Sequence, residues 1–143
     1  MNFFLSYETT APATFYLNQL EPRISAKLAT LEHTHYGDEL THISIISIVL
    51  PIAILKNGFY PERKLFQRKS CSADIRLALD YDQFLRATPS RRYDMYAEHI
   101  IDSILTLKHK VSSSFQYDIL LEDVCKILES PDLRSECNKI TRF

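Results

Sequence analysis

At 143 residues the chain fits a single domain, residues 1–143, with enough length to bury a sizeable core. Seventeen basic and 18 acidic side chains leave a formal net charge of -1, so there is no global pull toward nucleic acid or an anionic membrane. A composition 45% hydrophobic and 24% charged, with two glycines and six prolines, argues against a linker-rich or disordered chain.

Residues 2–7, NFFLSY, read as a short strand with Phe3, Leu5 and Tyr7 on one face. They lack a basic lead-in, and the apolar run is too short for a signal peptide. From Ala13 to Leu31, Leu17, Leu20, Ile24, Leu28 and Leu31 recur at steps of three and four, which predicts a helix. Thr9 and Thr10 offer caps, and Pro12 suits a first turn. Pro22 lies inside the pattern; lacking a donor and crowding the preceding turn, it predicts a kink in the helix or its division in two, the kink being favoured. HTHYGDE, 33–39, is a polar connection turning at Gly37. Thr41 to Leu50 is rich in β-branched residues and predicts a strand, ended by Pro51. The apolar run 43–55 falls short of the roughly 20 residues a membrane span needs.

The stretch 62–84, ERKLFQRKSCSADIRLALDYDQF, predicts a hairpin. A basic run, Arg63 to Lys69, precedes the short link Ser70-Cys71-Ser72. Then Ile75, Leu77, Leu79 and Tyr81 alternate with Asp74, Arg76, Ala78, Asp80 and Asp82, the period of a strand with one buried and one wet face. Thr88 or Ser90 caps a long amphipathic helix whose apolar stripe runs from Tyr93 to Val111. Ser112 to Ser114 break it. Tyr117 to Leu128 predicts another helix, with Ile119, Leu120, Val124, Ile127 and Leu128 inward and Asp118, Glu122, Asp123 and Glu129 outward. Pro131 stops it, and the tail from Asp132 has room for one more helical turn. Strand, helix, strand, hairpin, helix, helix predicts an α+β fold: a small antiparallel sheet of about four strands, with a long N-terminal helix and two C-terminal helices on one face.

Few residues point to chemistry. His33, His35, His42 and Asp38 are near in sequence, but an HxH pair without a Cys/His cluster is a weak zinc signal, and the reading is no metal and no cofactor. Gly37 and Gly58 are isolated, so no phosphate-binding glycine loop can be written, and no nucleophile elbow exists. Three cysteines without a CxxC pair fit the cytosol; Cys125 reads as core and Cys71 as incidental. Asp74, Asp80 and Asp82 share a predicted strand face, with i, i+2 carboxylates about 7 Å apart. Such a pair serves some hydrolases, but on an open sheet it better fits a solvated surface or a patch that meets a basic partner.

The chain resembles a family of small immunity proteins from bacterial polymorphic-toxin and contact-dependent growth inhibition systems. FFLSYET running into a helix, YGDEL (36–40) leading into an isoleucine-rich strand, and the 62–84 stretch followed by HIIDSIL (99–105) carry the resemblance. It covers about the first three-quarters of the chain, and Pro22 departs from the uninterrupted helix expected. The resemblance implies a non-enzymatic cytosolic protein that binds and neutralises one cognate toxin domain, in this reading a nuclease with a basic cleft. An acidic patch would fill such a cleft and speed encounter. The candidate partner-binding residues are Tyr36, Asp38 and Glu39 in the loop, Asp74, Asp80 and Asp82 on the strand, and Glu122 and Asp123 on the last long helix. The alternative is a small nucleic-acid-binding accessory domain using the basic 63–76 hairpin. No direct nucleic-acid or membrane contact is expected in the first reading. Exposed strand edges permit a dimer, and nothing in the sequence requires one.

Overall fold

The computed structural model describes residues 1–51 and 65–140. Their order is β1 (Asn2–Thr9), α1 (Ala13–Leu28) with a 3-10 turn at Ala29–Leu31, β2 (His42–Val49), β3 (Leu65–Lys69), β4 (Ser72–Ala78), α2 (Tyr81–Arg86), α3 (Pro89–Leu105), α4 (Tyr117–Leu128) and α5 (Pro131–Asn138). The class is α+β, as expected, with the helices gathered on one face of a four-stranded sheet. The basic residues Arg63 and Lys64, the isolated Gly58 and the end of the apolar run, 52–55, lie outside the described residues.

The sheet is mixed rather than antiparallel, in the order β1-β2-β4-β3. β1 pairs parallel with β2, β2 parallel with β4, and only the β3–β4 hairpin is antiparallel. Two physical causes account for the difference. A helix between β1 and β2 carries the chain back across the sheet, so the second strand starts where the first did. In the hairpin, the apolar inner residues Ala73, Ile75 and Leu77 need a central position, whereas Gln67, Arg68 and Lys69 suit an edge. β4 therefore inserts beside β2 and leaves β3 outermost. The link Ser70-Cys71 closes the hairpin, with Ser70 in the left-handed region at φ 55°.

The covered face carries Phe3, Leu5 and Tyr7 of β1, Ile43, Ile45 and Val49 of β2, and Ala73, Ile75 and Leu77 of β4. Against it α1 buries Tyr16, Leu17, Leu20, Ile24 and Leu28. α1 runs unbroken through Pro22, which is exposed. The Arg23 guanidinium donates to the Gln19 carbonyl at 2.6 Å in the weakened turn. α3 buries Tyr93, Tyr96, Ile100 and Ile104 against β2, β4 and the last two helices. It ends at Leu105, short of the predicted Val111. α5, Pro131–Asn138, is a full helix that adds Leu133 and Cys137 to the same core.

The predicted strand through Tyr81 stops at Ala78, and a short helix replaces its end. Asp80 accepts a hydrogen bond from the Gln83 backbone N–H at 2.9 Å and so caps α2. Tyr81 and Phe84, three apart, then point into the core together. At the far end of α2, Arg92 donates to the carbonyls of Phe84 at 3.0 Å and Leu85 at 2.9 Å, and its guanidinium lies 5.2 Å from the Tyr16 ring centroid.

Candidate partner-binding surfaces

The YGDEL segment is a latch between the sheet and the last long helix. The Tyr36 ring is buried, and its hydroxyl donates to Asp123 Oδ2 on α4 at 2.7 Å. Burial first, and the Asp123 carboxylate second, raise the Tyr36 phenol well above its ordinary pKa. The Tyr36 carbonyl accepts from the Gln116 N–H at 2.8 Å. Gly37 follows at φ +128°, where a Cβ would lie 3.3 Å from the Phe115 ring, so glycine meets both a backbone and a space requirement. Glu39 accepts from the Ser112 N–H at 2.9 Å, the Ser112 hydroxyl at 2.8 Å and Arg68 Nη1 at 3.0 Å. The bonds from Ser112, then Arg68, hold the Glu39 carboxyl below its ordinary pKa. Arg68 also donates to the Glu39 and Lys110 carbonyls. Residues 36–39 thus hydrogen-bond to three residues of the 112–123 segment, Ser112, Gln116 and Asp123, and Arg68 ties Lys110 to the same latch.

The eight sequence-predicted residues are therefore distributed over four places. Tyr36 and Asp123 meet, and Glu39 joins the same latch; all three act inside the frame. Asp38 is fully exposed beside them, its Oδ1 3.0 Å from His35 Nε2. Asp74 is exposed on the open face of β4. Asp80 and Asp82 are exposed too, but on α2, so the three aspartates do not form one strand face. The missed signal was Asp80-Tyr-Asp-Gln83, an acceptor followed three residues later by Gln at a helix start. Glu122 is exposed on α4 and holds Lys126 at 2.9 Å, one turn along.

Two apolar side chains outside the predicted partner-binding set are exposed on these surfaces. Phe4 on the open sheet face stacks on His42, with ring planes 5° apart and centroids 6.0 Å apart. Around it the charges are mixed: Asp74 is exposed, and Arg76 pairs with Glu8 at 3.6 Å. Ile119 was expected inward, but it is 48% exposed. On a helix it shares a face with Glu122 and Asp123, three and four residues on, whereas Leu120, Val124 and Leu128 hold the buried stripe.

Among the described residues no three His, Cys, Asp or Glu side chains gather as metal ligands would, and the three cysteines are free thiols. No described helix is long and apolar enough to cross a membrane. No curated protein and no solved structure matched the chain. The family model of Immunity protein 44 matches residues 1–130, a span that includes the β1–α1 unit, the 36–40 latch, the hairpin and all of α4. The chain belongs to the Immunity protein 44 family.

Proposed function

We propose that this protein binds and neutralises a cognate bacterial toxin domain in the cytosol of the producing cell, that the toxin is a nuclease, and that the inhibitor does no chemistry of its own. Family membership over residues 1–130 carries the reading, since immunity families suggest toxin neutralisation. The nuclease assignment is supported by charge. Residues 117–140 hold six acidic side chains against three basic ones, a surface suited to a basic nucleic-acid cleft. Asp38, Asp74, Asp80, Asp82 and Glu122 are exposed and able to meet such a partner directly. Tyr36, Glu39 and Asp123 serve it indirectly, by holding loop and helix in register.

The alternative, nucleic-acid binding by the basic hairpin, loses support from two of its own cations. Arg68 is engaged by Glu39 and Arg76 by Glu8. Co-expression tests the main reading. The toxic domain encoded beside this chain is expressed with and without it, and survivors are counted. Rescue from the matched toxin but not from an unrelated one is the expected result. Absence of rescue with folded, expressed inhibitor overturns the reading.

A further inference from the structure

We infer that the toxin docks on the start of α4, with Ile119 as the apolar anchor at the rim of the depression between α4 and residues 108–116. The inference rests on the toxin-neutralisation reading and specifies its surface. The outer stripe of α4 is Asp118, Ile119, Glu122, Lys126 and Glu129, all exposed. One large aliphatic side chain thus stands among three carboxylates and a lysine already held by Glu122. A lone exposed isoleucine is ordinary. This one lines an open depression of about 530 Å³ together with Val111 and Phe115. Of the four large hydrophobic side chains exposed among the described residues, Ile119 is the one that lines this concavity.

Tyr117, 8% exposed, lines it as well, and its hydroxyl has no hydrogen-bond partner among the described residues. An apolar centre with a charged rim is the anatomy of a protein interface. The rim selects the occupant. A second copy of this chain meeting the same face would set Asp118 and Glu122 against their own equivalents. A basic toxin surface presenting an apolar or aromatic side chain to the depression satisfies shape and the acidic α4 side, where Asp118 and Glu122 lie, while Lys108 on the other side stays with solvent or an acid of the toxin. The latch at residues 36–39 supports this geometry, because it fixes Ser112, Phe115 and Gln116, which line the wall.

The test is affinity for the purified toxin domain encoded beside this chain, measured for wild type, Ile119→Arg, Ile119→Ser, Glu122→Lys and the sheet-face control Phe4→Ser. Ile119→Arg should weaken binding by about 100-fold or more and Ile119→Ser by about 10-fold, the losses expected at an interface hot spot. Glu122→Lys should slow association, and Phe4→Ser should leave affinity unchanged. Ile119→Ser keeps the test decisive if the arginine variant fails to fold. Wild-type binding with both Ile119 variants folded and within about threefold of it overturns the docking site and leaves neutralisation standing. Tight binding abolished by Phe4→Ser instead moves the interface to the sheet. If wild type itself does not bind, the functional reading falls and the docking site with it.

Discussion

Replacing Tyr36 by Phe removes one hydroxyl and leaves the buried ring in place. That hydroxyl donates at 2.7 Å to a carboxylate, and hydrogen bonds to charged groups contribute about 1.5–3 kcal/mol net. Asp123 is only partly buried, so water can replace the lost donor, and the low end applies: about 1.5–2 kcal/mol. With an unfolding entropy of about 2.1 cal/mol/K per residue, a chain of this length loses about 5–7 °C in Tm. Tyr36→Ala would also open a core cavity and should cost about 3–5 kcal/mol. Tyr36→Phe, Asp123→Ala and the double variant should be compared by thermal melting and denaturant titration. The double variant should be less destabilised than the sum of the singles, with a coupling of about 1–2 kcal/mol. Toxin affinity of Tyr36→Phe should change little, because the ring is 1% exposed. Additive single effects would refute the latch. An unchanged Tm with a large loss of affinity would place Tyr36 in the interface instead.

Acid should loosen the same latch at a second point. The Glu39 pKa is depressed in the folded state below its ordinary 4.5, so its contribution to stability is present above that value and fades as pH falls through the folded pKa. Glu39→Gln should therefore flatten part of the fall in Tm between about pH 6 and about pH 3, read by melting across that range. Asp80→Ala removes the cap of α2 and should cost about 1 kcal/mol in a denaturant titration, with Asp80→Asn costing less. Thiol labelling should separate the cysteines. Hydrogen bonding from Thr41 lowers the Cys71 thiol, while burial raises Cys125 and pushes Cys137 to about 11. Brief alkylation of the native protein, read by mass spectrometry, should therefore modify Cys71 first and Cys137 last.

The legible parts of the chain were those with a long, clean period. The Tyr93–Ile104 stripe, the Leu120–Leu128 helix and the hairpin about Ser70-Cys71 all stand where their patterns put them. Strand pairing was less legible, because alternation records which face is buried and says nothing of direction. The helix between β1 and β2 carried the parallel signal, and the basic composition of β3 carried the edge signal. The 79–84 segment misled because Leu79 and Tyr81 continue a two-residue period that Asp80 interrupts by capping a helix. Ile119 misled for a related reason. Beside Leu120 it looks like core, and only the angular position it shares with Glu122 places it outside. The roles of Tyr36 and Glu39 depend on partners 87 and 73 residues away, a separation no local pattern encodes.

The most direct test of neutralisation by binding alone is a titration of purified toxin domain with purified inhibitor, followed by separation of the complex in denaturant and refolding of the toxin. Activity should fall to the background level as inhibitor reaches equivalence, and the separated toxin should regain it with unchanged mass. Toxin activity that persists past equivalence would contradict neutralisation. Loss of activity that survives separation, with an altered toxin mass, would show that the inhibitor acts by chemistry.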